Sequence, residues 1–262
     1  GGYLVRRLSG GGAVFHDLGN FNFTFIVRKP DYDVDRQLQV ILEAVRRLGI
    51  QAEKTGRNDI TVEGRKFSGN AFYQTGDCCY HHGTLLVHAD KENMSRYLNV
   101  PREKLASKGV SSVKSRVANL DEFCPGLTVD RVKAALAEAF SQVYGQVADK
   151  MEEKELPEDA IGPLTQKFES WQWKYGRKIP FEHEMEQRFA WGGIQMQFHV
   201  DGGRIQEVNV FSDAMDQEMI GNLAERLKGC PYDGNAMCEA VKEAGKEGGI
   251  RQDILYLIKE SM

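Results

Sequence analysis

Three consecutive glycines, Gly10, Gly11 and Gly12, constrain the fold of this chain more than any other feature of its sequence. They lie in a run that reads RRLSGGGAVFHDLGN from residue 6 to residue 20. Without Cβ atoms, successive backbone N–H groups can turn toward one point, and a ligand can approach the main chain closely. Two guanidinium groups beside such a loop suit a phosphate or a carboxylate. The run predicts an anion-binding loop, and a flexible turn with surface arginines is the alternative interpretation.

Composition limits the class of protein. The chain has 262 residues, of which 41% are hydrophobic and 27% charged, as is typical of one large or two smaller globular domains. A net charge of −4 argues against nucleic acid as the main partner. No apolar run is long enough to suggest a membrane span, so we expect no membrane partner. The five cysteines have neither metal-site spacing nor the density of a disulfide scaffold, which favours a reducing, cytoplasmic setting.

Hydrophobic periodicity predicts both strands and helices along the chain. The predicted strands cover residues 22–27, 60–63 and 83–89. The predicted helices cover residues 33–48, 129–143, 216–227, 234–244 and 251–259. Strict alternation over residues 194–200, followed by an Asp-Gly-Gly turn, predicts a two-stranded antiparallel hairpin with residues 205–211. The carboxyl-terminal part therefore reads as a small second domain, in which helices pack on this hairpin.

A second cluster of polar residues follows the glycine-rich run. Asn58 and Asp59 precede a predicted strand, where an amide can bind a base or ribose and a carboxylate can hold Mg²⁺. Lys66 is predicted in a short turn between Gly64 and Gly69, from which its charge can reach a developing negative charge on oxygen. Each also has a plain interpretation, because Asn-Asp is a common turn sequence and a lysine in a turn is usually solvated.

Two histidines and two cysteines form a third cluster. His81 and His82 are neighbours on a predicted strand and point to opposite faces, so a shared metal is disfavoured and a hydrogen-bonded structural histidine is favoured. Cys78 and Cys79 come just before them. Either would need a lowered pKa and a nearby base to act as a nucleophile, and inert loop cysteines are the alternative.

Five blocks, in this order, resemble lipoate–protein ligase. They are RRLSGGGAVFHDLGN at 6–20, GRND at 56–59, RKFSG at 65–69, HGTLL at 82–86 and KGVSSVKSRVANL at 108–120. The resemblance continues through WQWKYG at 171–176 to the hairpin that follows WGG at 191–193. The order and the spacing of the blocks are similar as well.

The resemblance implies an α/β (α+β) catalytic domain, like that of biotin ligases, with mixed and antiparallel sheets and flanking helices. This domain would cover residues 1–179, and a small α+β accessory domain would cover residues 180–262. The implied reaction uses lipoate and ATP with Mg²⁺ to form lipoyl-adenylate, and then transfers the lipoyl group to a lysine. The implied acceptors are apo lipoyl domains and the glycine cleavage H protein.

The resemblance also implies roles for particular residues. Lys66 would be catalytic and would contact both the lipoyl carbonyl and the phosphate, and Asp59 would face Mg²⁺. The residues implied in binding ATP and lipoyl-AMP are Arg7, Ser9, Gly12, Ala13, Val14, Phe15, Asn20, Asn58, Asp59, Lys66, His82 and Thr84. Apolar side chains such as Phe23, Phe25 and Leu85 are candidates for a slot around the dithiolane.

Two alternatives stay open from the sequence. One is a lipoyl or octanoyl transferase that works through a cysteine thioester, for which Cys78 and Cys79 are the candidates near the blocks. The other is a non-catalytic half that binds lipoyl-AMP or an acceptor and requires a partner chain. Family members carry an amino-terminal segment before the Arg-Arg block that is missing here, so a separate amino-terminal fragment is an expected partner.

Overall fold

The structure is a computed structural model that describes residues 2–55, 58–98, 116–176, 179–245 and 248–262. Contacts divide the chain into two compact units. Ala13–Lys150 form the five-stranded unit, and Gly1–Gly12 together with Met151–Met262 form the three-stranded unit. Both units combine antiparallel strands with helices, which confirms the predicted α+β class. A boundary between residues 179 and 180 stays a prediction.

The five-stranded unit carries one sheet with the strand order β1-β5-β4-β3-β2, in which every neighbouring pair is antiparallel. Its strands are β1 (Asn20–Arg28), β2 (Glu53–Thr55), β3 (Asp59–Val62), β4 (Arg65–Thr75) and β5 (Cys78–Leu86). Among its described residues, the α-helices are α1 (Val34–Arg47), α2 (Lys91–Tyr97) and α3 (Val129–Tyr144).

Helices α1 and α3 cover one face of this sheet. Asp33 accepts a hydrogen bond from the backbone N–H of Arg36 and Thr128 accepts one from Arg131, so a side-chain oxygen caps the start of each helix. Both helices pack their apolar faces into one buried cluster with side chains from β1, β3, β4 and β5. The sheet side of that cluster consists of Phe23, Ile60, Val62, Phe67 and Leu85. The opposite side of the sheet is called here the second face.

Strand β4 differs from the sequence prediction. Lys66 lies inside this strand, so its predicted position in a turn is wrong. The turn lies one step earlier, at Glu63 and Gly64, whose φ angles are 48° and 72°. Residues 68–70 are small and polar, so they interrupt the hydrophobic alternation that would have indicated a strand here.

The three-stranded unit carries the sheet β6-β7-β8, which is also antiparallel. Its strands are β6 (His183–Phe189), β7 (Gly192–Asp201) and β8 (Arg204–Ser212). Its helices are α4 (Glu158–Glu169), α5 (Trp171–Tyr175), α6 (Gln217–Leu227), α7 (Gly234–Ala244) and α8 (Gly249–Ser261). The hairpin β7–β8 is confirmed, but β6 makes the predicted two-stranded unit three-stranded. Within the described residues, no helix combines the length and the apolar character needed to cross a membrane.

Candidate functional site

One row of residues crosses four strands on the second face of the five-stranded sheet. Asn22 on β1 is opposite Thr84 on β5, Thr84 is opposite Gly69 on β4, and Gly69 is opposite Asp59 on β3. Because side chains alternate between the faces of a sheet, these positions share a face. The registers therefore bring together two predicted site residues, Asp59 and Thr84, that are 25 positions apart in the sequence.

Lys66 lies across this row. Its Nζ atom is 2.6 Å from Oδ1 of Asp59, and the two side chains are 25% and 13% exposed. A Cβ atom built on Gly69 would lie 2.7 Å from the same Nζ atom, so the lysine passes directly over this glycine. Gly69 leaves the space in which the ammonium group sits beside Asp59.

Arg116 completes a charge cluster, which we call the Asp59–Lys66–Arg116 cluster. Its Nη2 atom is 3.1 Å from Oδ2 of Asp59, so Lys66 and Arg116 each contact a different carboxylate oxygen. Val117 forms a parallel bridge with Lys66, and the N–H of Ala118 donates to the Lys66 carbonyl at 2.9 Å. Arg116 was given no role from the sequence, since its one signal there was its position within a block of the resemblance.

Glu122 anchors the segment that delivers Arg116. Its carboxylate accepts hydrogen bonds from Arg65 at 2.7 Å, from Lys91 at 2.8 Å and from the N–H of Asn119 at 2.6 Å. Burial alone would raise the pKa of Glu122, but these hydrogen bonds outweigh it and lower the pKa to about 2. Glu122 is therefore ionised at neutral pH and ties residues 117–122 to β4 and α2.

The two adjacent histidines point to opposite faces, as predicted. His82 lies opposite Thr24 and Ala71, on the same face as Thr84, and its ring is 5.4 Å from that of Tyr80. His81 is fully buried on the helix side of the sheet. Among the described residues no group of three or more His, Cys, Asp or Glu side chains is arranged to hold a metal ion.

Residues 13–20 run along the edge of the same unit. The side-chain amide of Asn20 donates to the Phe15 carbonyl at 3.1 Å, and the Phe15 ring stacks on Tyr97 with centroids 6.1 Å apart. The Gly19 carbonyl accepts the N–H groups of Val87 and His88, both at 3.0 Å. These contacts fix the second half of the glycine-rich run to the residues that follow β5 and to α2.

The first half of that run belongs to the three-stranded unit, and its polar groups are engaged within that unit. The Arg7 guanidinium donates to the carbonyls of Gly10 at 2.7 Å and Gly12 at 3.0 Å, and to the Ser9 hydroxyl at 3.2 Å. The Gly11 N–H donates to the Asp213 carbonyl at 3.0 Å. Gly11 has φ +96°, and its Cβ position is 2.8 Å from the Arg7 side chain, so glycine is required here.

The predicted set is thus divided between the two units. Arg7, Ser9 and Gly12 lie in one, and the remaining site residues lie in the other. Gly56, Arg57 and positions 108–115, which carry part of the resemblance, lie outside the described residues. Phe23 and Leu85 lie in the core beneath α1 and α3, on the sheet face opposite Lys66. A slot around the dithiolane at Phe23, Phe25 and Leu85 stays a prediction.

Replacing Gly69 with alanine tests the placement of Lys66. The new Cβ would lie 2.7 Å from Nζ and 2.9 Å from Cε, so the flexible end of the lysine must move away from the row. The φ of Gly69 lies outside the left-handed region, so we expect the free energy of unfolding to change by less than about 1 kcal/mol. The rate of the lipoate- and ATP-dependent reaction implied by the resemblance should fall at least about tenfold. Gly221→Ala in α6, where nothing lies within 4 Å of the new Cβ, is the matched control. Wild-type activity in Gly69→Ala would contradict this placement.

Two family models match the chain. The model of the lipoyl protein ligase A/B catalytic domain covers residues 1–141, and the model of the bacterial lipoate protein ligase C-terminus covers residues 178–254. The first match alone spans more than half of the chain.

Solved structures agree with both matches. P. falciparum LipL1 in complex with lipoate is 28% identical with a TM-score of 0.79, over 97% of this chain and 76% of that chain. A bi-partite lipoate protein ligase from Thermoplasma acidophilum, solved with its E2 lipoyl domain, is 32% identical with a TM-score of 0.56, over 67% and 72% of the two chains. A lipoate-protein ligase A bound with ATP is 29% identical with a TM-score of 0.55, over 66% and 72%.

Proposed function

Since the chain belongs to the lipoyl protein ligase A/B catalytic domain family, we propose that it uses ATP to attach lipoate to a lysine of apo lipoyl domains through a lipoyl-adenylate intermediate. Related structures contain lipoate in one case and ATP in another, which supports both as substrates here. The observation that carries the proposal is the Asp59–Lys66–Arg116 cluster on the second face, with the Lys66 ammonium group held over Gly69.

The first step needs charge neutralisation and positioning rather than a protein nucleophile. A carboxylate oxygen of lipoate attacks the α-phosphorus of ATP, and the bond to the leaving pyrophosphate breaks. Negative charge grows on the phosphoryl oxygens as this happens. Lys66 donates hydrogen bonds to those oxygens and to the lipoyl carbonyl, for which it leaves Asp59. Arg116 keeps its contact with Asp59 and so holds the carboxylate in place during the exchange.

In the second step the neutral ε-amine of the acceptor lysine attacks the carbonyl carbon of lipoyl-adenylate. The amide bond forms, the bond to the phosphate oxygen breaks, AMP leaves, and the amine releases a proton to solvent. Lys66 again offers N–H groups where the carbonyl oxygen becomes negative, so one residue serves both steps. Loss of Lys66 is therefore expected to affect adenylation and transfer together.

Mg²⁺ fits this arrangement through a single protein carboxylate. Such an ion usually takes one or two carboxylates and completes its shell with phosphate oxygens and water. Asp59 is the carboxylate on the row and would hold the ion once Lys66 has turned to the substrate. When bound, Mg²⁺ would supply positive charge to the triphosphate.

The remaining binding residues are assigned by the same proposal. Thr84 and His82 share the second face with Asp59 and would contact the adenylate, together with Asn58. Arg7, Ser9, Gly12 and residues 13–15 would contact the nucleotide phosphates, and Asn20 would support them. The structure of the T. acidophilum bi-partite ligase with its lipoyl domain supports lipoyl domains as acceptors and a separate fragment as a partner. The glycine cleavage H protein as a second acceptor, and a cytoplasmic setting, belong to the proposal as well.

A cysteine-dependent transferase is the second candidate, and the geometry favours it less. Cys79 is buried, and Cys78 lies six positions before Thr84 on β5, about 20 Å along the strand at ~3.3 Å per residue. A thioester there would form far from Lys66. We expect the double variant Cys78→Ser/Cys79→Ala to keep lipoate-dependent pyrophosphate release within about twofold of wild type.

Pyrophosphate release measured with ATP, Mg²⁺ and lipoate, and again without lipoate, tests the proposal. A lipoate-dependent rate that survives in the double cysteine variant supports the ligase. Transfer between carrier domains without ATP, lost in that variant, would support the thioester enzyme instead.

A further inference from the structure

A chain of buried polar side chains crosses the core of the five-stranded unit. Gln37 on α1, His81 on β5 and Asn70 on β4 are 0%, 0% and 3% exposed. Nδ1 of His81 is 3.0 Å from the Gln37 side chain, and Nε2 of His81 is 2.9 Å from Oδ1 of Asn70. Polar groups this deeply buried are retained only when they are hydrogen-bonded. Here one contact joins α1 to β5 and the other joins β5 to β4.

Asn70 connects this chain to the start of β3. Its side-chain amide donates to the Asn58 carbonyl at 3.1 Å, and its backbone N–H donates to the same carbonyl at 2.9 Å. The Asn58 side chain donates in return to the Asn70 carbonyl at 2.8 Å. These three hydrogen bonds fix Asn58, and Asp59 follows it directly.

Gly83 makes room for the connection. A Cβ atom at this position would lie 2.7 Å from Oδ1 of Asn70 and 2.5 Å from the Phe23 ring. Because Gly83 has no side chain, the Asn70 side chain can reach His81, which lies two positions before Gly83 on β5. This glycine belongs to the His-Gly-Thr block, and the contact gives a physical reason for it.

The His81 ring is neutral and has one defined tautomer. Phe23, Phe25 and Phe72 surround it with ring centroids 4.8–5.7 Å away. This burial first, and then the charge of neighbouring His82, lowers the pKa of His81 to about 4. A neutral imidazole has one donor and one acceptor. The amide nitrogen of Asn70 is committed to Asn58, so Nε2 of His81 carries the hydrogen and donates to Oδ1. Nδ1 is then an acceptor, and rotating the Gln37 amide by a half-turn places its Nε2 group there as the donor.

We propose that His81 is a positioning residue for the nucleotide site, acting through Asn70 to fix Asn58 and thereby Asp59. The inference deepens the proposed function and rests on it for the role of Asp59. A core of this kind could be filled by apolar side chains without any hydrogen bonds. The polar chain adds a fixed connection from α1 through β5 and β4 to Asn58. The next residue, Asp59, contacts both Lys66 and Arg116.

Two amide variants of His81 separate positioning from packing. The terminal nitrogen of glutamine reaches the position of Nε2, so His81→Gln keeps a donor toward Asn70. The terminal oxygen of asparagine reaches the position of Nδ1, so His81→Asn keeps an acceptor for Gln37 and loses the contact with Asn70. Asparagine leaves the larger cavity, so a purely structural histidine would give the two variants different free energies of unfolding but the same KM.

The experiment measures the KM for ATP and kcat of pyrophosphate release in both variants. We expect His81→Gln to stay within about twofold of wild type in KM, and His81→Asn to raise KM about tenfold, because Oδ1 of Asn70 is left without its donor. Val40→Ala in α1, which opens a cavity in the same core without touching Asn70, controls for lost stability. Equal KM values in the two His81 variants would overturn the proposal.

Hydrogen exchange gives a readout that needs no activity. The Asn70 N–H, bonded to the Asn58 carbonyl, is expected to exchange about tenfold faster in His81→Asn than in His81→Gln. If wild type consumes no ATP but this difference appears, the positioning role stands and the proposed function fails. If exchange is equal in the two variants, the positioning role fails whatever the activity.

Discussion

Lys66→Met is expected to lower lipoate-dependent pyrophosphate release by about 10²–10³-fold, the loss typical for removing one donor to a developing negative charge. Methionine is similar in length and also fits over Gly69, so the change removes the ammonium group and little packing. Arg116 keeps its contact with Asp59, which protects the carboxylate from being left buried and unpaired. The loss should therefore appear in the rate and not in the unfolding transition.

Lys91→Met is the matched control for this variant. The Lys91 side chain is 23% exposed, against 25% for Lys66, and it also pairs with a carboxylate, at 2.8 Å from Glu122. It lies on α2, away from the Asp59–Gly69–Thr84 row. We expect the Lys91 variant to keep its rate within about threefold of wild type, because Arg65 and the Asn119 N–H still hold Glu122 in place. A Lys66 variant that releases pyrophosphate at the wild-type rate, or that fails in adenylation while transferring normally from lipoyl-AMP, would contradict the role assigned to Lys66.

Acidification is expected to destabilise the five-stranded unit through His81. The pKa of His81 is lowered from 6.5 to about 4 in the folded protein, first by burial and then by the neighbouring charge of His82. Between these pH values the unfolded chain binds a proton at this position and the folded protein does not. Stability is therefore full above pH 6.5 and is lost as the pH falls toward 4, by about 3 kcal/mol at ~1.4 kcal/mol per pH unit.

His81→Gln provides the control for the acid effect, since it removes the titrating group and keeps the bond to Asn70. The free energy of unfolding is measured in urea at pH 7 and at pH 4.5 for both proteins, with hydrogen exchange of β4 and β5 as the probe of unfolding. We expect the pH dependence of wild type to exceed that of the variant by about 2–3 kcal/mol. The pKa of Glu122 is lowered from 4.5 to about 2 in the folded protein, so this carboxylate also loses its stabilising effect on acidification, but only between pH 4.5 and 2. That range lies below the pH values measured, and the effect is common to both proteins. Identical pH dependence would contradict a neutral, buried His81.

Regular hydrophobic patterns predicted much of the fold. The periodicity of α1 and the alternation along β7 gave bounds within three residues of the observed ones, because one face of each element is buried. Strand β6 was missed because His183 and Gln187 share a face with Met185 and Phe189, so only two apolar residues mark its alternation. Strand β4 was mistaken for a turn since Gly64 and Gly69 resemble turn punctuation, although Gly69 serves to accommodate Lys66.

The site was predicted as separate residues rather than as an arrangement. Asp59 and Lys66 were both singled out, but their contact at 2.6 Å depends on the pairing of β3 with β4. The role of Arg116 depends on its contact with Asp59, 57 positions away in the sequence, and no local sequence pattern indicates that contact. The chain from Gln37 through His81 to Asn70 could not be seen for the same reason, since its members are 44 and 11 positions apart.

Intact-mass spectrometry of an apo lipoyl domain tests the central claim most directly. The domain is incubated with this chain, lipoate and ATP with Mg²⁺ in one tube, and with synthetic lipoyl-AMP in place of lipoate and ATP in another. We predict a mass gain of one lipoyl group in both tubes with wild type, and in neither with Lys66→Met. A gain only with lipoyl-AMP would contradict ATP-dependent ligation by this chain.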